Sequence, residues 1–294
     1  MESCTVEPIS YADLATGATD ACTDFCARVH SHGYAVLRYP PEAVAEVAAL
    51  RADSADFFAL PVDQKRSIGD FRFVGDTYAG YRDSECIDAE FLEVHTTADG
   101  GTFPPLRVPE GMSHAAAALH RRLDGMARVL LRVLAAHLGV DAAAFLAPLD
   151  PCPSPAADSG EGSLSASVLR VCHYRAGSST SAAEEGERGG VDVLFDTHTD
   201  SSLLTLSTLC PGAPGLQLQD EGEWLSIEEV PGVSESDVEV HVGDFLSFIT
   251  RDYFPSCVHR VTRPRGSAAA TGRLSFPFLV RLLTLPIART LAGP

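Results

Sequence analysis

An all-β sandwich or barrel preceded by a helical region is the fold class this sequence predicts, and three observations predict it. From Val168 onward, short apolar runs recur between turn residues: Val168–Tyr174, Leu203–Leu209, Leu216–Gln219, Val238–Val242, Phe245–Thr250, Val258–Thr262 and Leu274–Leu283. Many short strands at this spacing fit two packed sheets or a barrel better than alternating β-α units. Upstream, one long amphipathic stripe carries Leu119, Leu123, Met126, Leu130, Val133, Leu134 and Leu138 at helical spacing, with Ser113 placed as its N-cap and Gly139 as its stop. Between the two textures, Pro151 to Gly162 is a Pro/Ser/Ala/Gly stretch, a connection rather than an element.

The remaining elements follow from the same periodicities. Residues 14–32 predict a helix, with Phe25 and Val29 one turn apart beside Cys22 and Cys26, and residues 41–58 predict a second that opens on Pro41. Tyr34–Arg38, directly after Gly33, reads as a short strand. Two segments, Ala176–Gly190 and Pro264–Gly272, are rich in Gly, Ser, Ala and charge and read as insertions between strands.

Composition narrows the chemistry. The 294 residues include 22 Lys and Arg against 40 Asp and Glu, a net charge of −18, so the long-range field repels phosphate backbones and anionic membrane surfaces. Nucleic-acid and membrane partners are not expected. The single lysine is Lys65, and no Gly-rich phosphate loop ends in Lys-Ser/Thr, which removes P-loop chemistry and leaves one Schiff-base candidate. The 8 cysteines contain no C-x-x-C pair and read as reduced thiols, Cys22 and Cys26 as packing residues on one helix face. With no signal-peptide pattern and no apolar run of membrane length, a soluble cytoplasmic location is the expectation.

Three ionisable side chains stand where a metal would want them. His198-Thr-Asp200 places an imidazole and a carboxylate on one face of an extended segment, and His259 follows on another apolar run. Two histidines and a carboxylate form the facial triad associated with non-haem Fe(II), leaving positions for substrate and oxygen. H-x-D alone is a short pattern that is usually structural. Fourteen residues beyond His259, Arg273-Leu-Ser275 presents a guanidinium and a hydroxyl on one strand face, a pair suited to a buried carboxylate.

With these residues in order, the sequence resembles the isopenicillin N synthase-like group of Fe(II)- and 2-oxoglutarate-dependent dioxygenases. The resemblance runs through His198-Thr-Asp200, Ser202-Leu-Leu-Thr-Leu206, Gly215-Leu-Gln217, Trp224, Gly243-Asp244, Ser256-x-x-His259-Arg-Val261 and Arg273-Leu-Ser275. In the first half it includes His32-Gly33-Tyr34, Phe57-Phe-x-Leu-Pro61 with Lys65, Gly80-Tyr81 and Glu90-Phe91. It implies a double-stranded β-helix (jelly roll) core over residues 165–285, buttressed by a scaffold helix region at 111–150 and an N-terminal α/β region at 1–110. It implies Fe(II) at His198, Asp200 and His259, and Arg273 and Ser275 on the distal carboxylate of the cosubstrate 2-oxoglutarate. Tyr174 matches a position that often touches that carboxylate, and Arg170 on the same strand face is a further contributor. Tyr81, Arg251 and Phe254 fall near positions that line the substrate cavity in relatives, and a core or surface role is as good a reading for each.

The implied activity uses O2 to hydroxylate, desaturate or cyclise a small organic molecule, with release of succinate and CO2. Two alternatives accompany it: an oxidase of the isopenicillin N synthase type that consumes no 2-oxoglutarate, and a non-catalytic jelly roll that binds a small carboxylate. Tyr253-Phe254-Pro255 looks more like the isopenicillin N synthase branch than like plant members. Outside the triad and the strand bearing Arg170 and Tyr174, His30, His32, His95, His114, His120, His137 and His241 are expected to be surface or packed residues, and Trp224, Phe245 and Phe248 to pack. The Glu184-Glu185-Gly-Glu187 run reads as a solvated loop. The Ala176–Gly190 insertion is either a lid over the site or a passive loop.

Overall fold

The computed structural model describes residues 6–68, 71–74, 77–84, 87–97, 99–106, 109, 111–149, 164–176, 191–210, 214–264 and 272–282. The Ala176–Gly190 insertion, apart from Ala176, therefore lies outside the described residues, as do the core of the Pro264–Gly272 insertion and the Pro151–Gly162 connection.

The helical region opens with α1 (Tyr11–Thr16) and α2 (Thr19–His32), where the sequence predicts one helix over 14–32. Gly17 makes the break: it adopts φ +75° and donates its N–H to the Leu14 carbonyl while Ala18 donates to Asp13, a left-handed helix stop that costs glycine nothing. Strand β1 (Ile9–Ser10) pairs in parallel with β2 (Tyr34–Arg38). Helix α3 (Pro41–Phe58) matches its expected span and is followed by the short α4 (Val62–Arg66). The strands β3 (Arg72–Val74), β4 (Thr77–Ser84), β5 (Ala89–Thr96) and β6 (Thr102–Phe103) lead to the long α5 (Met112–Leu138). Its predicted stripe of Leu119, Leu123, Met126, Leu130 and Leu134 is buried, but Gly111 rather than Ser113 is its N-cap. The Ser113 hydroxyl instead pairs with Thr102 at 2.8 Å.

After α6 (Ala142–Leu146) come β7 (Val168–Tyr174), β8 (Val191–His198), β9 (Leu204–Thr208), β10 (Leu216–Asp220), β11 (Glu223–Ser226) and β12 (Asp237–Val242). Helix α7 (Asp244–Ile249) precedes β13 (His259–Pro264), β14 (Arg273–Ser275) and β15 (Pro277–Leu279). Among the described residues, 11 strands form a large sheet in the order β1-β2-β12-β9-β15-β7-β5-β4-β3, with β14 on β7 and β6 on β5, and 4 form a smaller one, β11-β10-β13-β8. The two sheets make the double-stranded β-helix arrangement without closing into a barrel. The main core joins α2, α3 and α5 to the large sheet through Phe25, Phe57, Leu123, Leu130, Leu206 and Phe278.

Phe245–Thr250 is a correction: it forms α7 and not a strand. A short apolar run does not distinguish the two by periodicity, and here tertiary contacts choose, because the Asp244 and Phe245 N–H groups donate to the carbonyls of Asp200 and Ser202 at 2.7 and 3.1 Å. The helix leaves Phe245 and Phe248 facing solvent, 42% and 78% exposed, so neither is the packing residue expected. Trp224 is half-buried beneath the Arg260 guanidinium, 4.0 Å from its ring centre.

Candidate active site

The candidate metal ligands converge because of one register pair. In the antiparallel pairing of β8 with β13, His198 stands directly opposite His259, and their ring centres are 4.2 Å apart. Strand β8 ends at His198, so Asp200 is not on the extended face expected for it. It lies in the following turn, where its carbonyl accepts the Asp244 N–H. Its carboxylate nevertheless reaches the pair, with Oδ1 3.9 Å from His198 Nε2, and one ligand atom from each of the three residues lies within 4.8 Å of the others.

Both imidazoles are oriented for ligation. Nδ1 of His198 donates to the Asp196 carbonyl at 2.7 Å and Nδ1 of His259 to the Cys257 carbonyl at 3.1 Å, which leaves Nε2 of each as a lone-pair donor. Burial, reinforced by the charge of His241, pushes the His259 imidazole down to about 3, so it is neutral at physiological pH. Burial works to raise the Asp200 carboxyl, but hydrogen bonds from His241 and Thr205 outweigh it and hold the group well below the usual carboxylate range. Two imidazoles and one carboxylate form a donor set that fits a divalent ion of the Fe(II) type.

The candidate carboxylate anchor stands on the large sheet. Arg273 and Ser275 of β14 pair across from Tyr174 and Cys172 of β7, and all four line the cavity that the metal triad also lines. A larger groove of about 570 Å³ lies between α1, α2 and α5, and none of these donors lines it. Arg273 is buried and donates Nη1 to Glu228 at 2.6 Å. Glu228 is fully enclosed, and it also accepts backbone N–H groups of Cys210, Gly215 and Leu216 at 2.8, 2.7 and 3.1 Å. Burial keeps the Tyr174 phenol protonated.

Arg170 lines the same cavity from a different station. It sits opposite Glu93 on β5 and four residues from Tyr174, about 13 Å along an extended strand. That separation places it at the other end of the cavity wall from Arg273. Its Nε and Nη2 both donate to Glu93 Oε1, at 2.9 and 2.6 Å.

None of the three expected substrate-pocket residues lines this cavity. Tyr81 is buried and donates its hydroxyl to Glu90, which also takes Lys65 and His173. Arg251 is exposed in the turn after α7 at φ +54°. Phe254 is fully buried in the core.

The residues missed from sequence stand behind the ligands. His241 is buried and donates Nε2 to Asp200 Oδ2 at 3.0 Å, while its Nδ1 meets Glu239 at 2.9 Å. Thr205 donates to the same Oδ2 at 2.6 Å. The signal was available in part: Glu239 and His241 are two ionisable residues at i and i+2 in the otherwise apolar Val238–Val242, hence on one strand face. What they face was not, since β12 pairs with β9 and sets His241 against Thr205.

Known proteins resemble this chain in sequence over part of its length and in fold over most of it. Residues 143–282 match the model of the 2OG-Fe(II) oxygenase superfamily. A 1-aminocyclopropane-1-carboxylate oxidase homolog 10 of Arabidopsis thaliana is 43% identical over 76 residues, which is 24% of this chain and 20% of the relative. Leucoanthocyanidin dioxygenase 1 of Oryza sativa subsp. indica is 38% identical over 73 residues, 25% and 18% of the two chains. The chain thus spans about a fifth of the length of these curated relatives. Among solved structures, a full-length Neurospora crassa protein in complex with alpha-KG and 5-formyluracil superposes with a TM-score of 0.73 at 22% identity, covering 96% of this chain and 86% of that one. The rice dioxygenase for auxin oxidation superposes with a TM-score of 0.70 at 20% identity, covering 94% and 83%. These likenesses extend the fold to almost the whole chain.

Proposed function

We propose that this chain, whose residues 143–282 match the 2OG-Fe(II) oxygenase superfamily model, is a dioxygenase that oxidises a small organic molecule with consumption of 2-oxoglutarate and O2. The observation that carries the reading is the opening of His198, Asp200 and His259 onto the cavity lined by Arg273, Ser275 and Tyr174. An Fe(II) ion held by the three ligands would supply the redox chemistry, coupling decarboxylation of 2-oxoglutarate to succinate and CO2 with attack on a C–H bond. The protein's own residues bind and orient. Arg273 gives the distal carboxylate a charge-assisted donor, Ser275 and Tyr174 add hydroxyls, and Phe91, Phe195 and Val261 keep that part of the cavity apolar. Arg170, held at the far station by Glu93, faces the substrate side. Hydroxylation is the default outcome.

Within this reading, residues 165–285 carry the chemistry while the 1–110 and 111–150 regions support it. No helix among the described residues is long and apolar enough to cross a membrane. The test is O2 uptake by Fe(II)-loaded protein with and without 2-oxoglutarate, with succinate quantified. Uptake that requires 2-oxoglutarate and yields succinate is the expected result. Uptake without it would favour the isopenicillin N synthase type of oxidase, and no 2-oxoglutarate binding or uptake at all would overturn the proposal.

A further inference from the structure

Each candidate metal imidazole is oriented by a backbone carbonyl, yet the carboxylate ligand is oriented by side chains alone. Asp200 Oδ2 accepts from His241 Nε2 at 3.0 Å and from Thr205 at 2.6 Å. Thr205 is itself tied to Ser202 at 3.0 Å. Both bonds fall on Oδ2, leaving Oδ1 as the atom directed toward His198. The His241 ring cannot turn away, because Glu239 meets its other nitrogen through both carboxylate oxygens at 2.9 and 3.0 Å. Glu239 is fully enclosed and His241 is 1% exposed. The ring also packs on the ligand His259, with centres 4.5 Å apart. A chain of Glu239, His241 and Asp200 therefore runs from the interior of β12 to the metal face.

We propose that His241, braced by Glu239, is the positioning residue of the metal centre: it holds Asp200 with Oδ1 facing the two imidazoles and so sets how tightly the site takes a divalent ion. The proposal rests on the metal-binding reading of His198, Asp200 and His259. A carboxylate free to rotate about its Cβ–Cγ bond must be ordered by the metal itself, whereas one already pinned through Oδ2 has lost that freedom on folding. Groups behind ligands elsewhere typically change metal affinity by about 10- to 100-fold.

The experiment uses the full chain stripped of metal and titrated with Co(II). Calorimetry gives the dissociation constant, the visible Co(II) spectrum reports ligand geometry, and circular dichroism gives the melting temperature. In His241→Leu the donor to Asp200 is gone, and Co(II) binding is expected to weaken about 10- to 100-fold with an altered spectrum. Because that variant strands Glu239, His241→Leu with Glu239→Leu removes both polar groups and keeps the question answerable if the single variant does not fold. His241→Asn retains a side-chain donor and should recover part of the lost affinity. Glu239→Gln, which loosens the brace without removing the donor, should fall between His241→Leu and the parent. A folded double variant that binds Co(II) with parental affinity and spectrum overturns the proposal while leaving the metal site standing. Failure of the parent protein to bind Co(II) removes the metal site and this inference together.

Discussion

Replacing Arg273 by Leu should produce two separable losses. The first is stability: the guanidinium is 5% exposed and its partner Glu228 is buried, so its removal leaves an enclosed carboxylate without its cation. Orphaning one partner of a buried pair costs about 3–5 kcal/mol. Glu228 keeps the N–H groups of Cys210, Gly215 and Leu216, which argues for the lower end, about 3 kcal/mol. In a chain of 294 residues, with an unfolding entropy of about 2.1 cal/mol/K per residue, that corresponds to a fall of about 5 °C in melting temperature. The second is 2-oxoglutarate binding, where losing a desolvated charge partner costs roughly 2–5 kcal/mol, a weakening of at least about 30-fold. Thermal melts measure the first, and calorimetric titration of 2-oxoglutarate into Mn(II)-loaded protein without O2 measures the second. Adding Glu228→Gln to Arg273→Leu removes the stranded charge and should restore much of the melting temperature but none of the affinity. Arg273→Lys keeps the charge without the fork and should fall between. Parental 2-oxoglutarate affinity in Arg273→Leu would refute the anchor assignment, and a parental melting temperature would refute the stabilising role of the ion pair.

Other consequences are as direct. His198→Ala, Asp200→Ala and His259→Ala should each remove metal binding and turnover while circular dichroism stays unchanged, and chelation by EDTA should abolish a parental activity that added Fe(II) restores. Burial alone would raise the Glu90 carboxyl, but hydrogen bonds from His173, Lys65 and Tyr81 outweigh it and bring it down to about 2. A depressed carboxylate stabilises the fold above its ordinary value near 4.3 and loses that contribution, on the order of 3 kcal/mol, as pH falls toward 2. Glu90→Gln should therefore melt lower than the parent at neutral pH and show a flatter decline between about pH 4.5 and 2 in thermal melts. A methyl group on Gly243 would overlap the Ser202 carbonyl oxygen and come within 2.7 Å of the Asp200 carbonyl oxygen, so Gly243→Ala should lose about 1–3 kcal/mol in denaturant titration. Phe248→Ser, at a side chain turned to solvent, should change stability by less than about 0.5 kcal/mol in the same measurement.

Several features were legible because they depend on near neighbours in the chain. The α5 stripe, the span of α3, the β7 and β12 strands and the H-x-D pattern are set by spacings of two to four residues, and side-chain direction along a helix or strand follows from those spacings. The candidate ligands follow from residue chemistry, since only certain groups donate to a cation of this type. Local spacing had less hold on Phe245–Thr250, where the carbonyls of Asp200 and Ser202 decide between strand and helix. For Tyr81, Arg251 and Phe254 it left pocket, core and surface readings open, and the fold sets them beside Glu90, in the turn after α7 and in the core.

By itself, then, the sequence determined the class of elements, the helical and strand faces, and the three residues able to hold a metal. Only the tertiary structure decided what stands behind each functional group. Asp200 meets His241 across 41 residues and Arg273 meets Glu228 across 45, and these partners are chosen by which strands and turns lie next to one another. The physical reason is burial: a charged group enclosed by the core must find a partner there. The alternation of a strand says that Glu239 and His241 share a face, but register alone decides that this face lies behind Asp200.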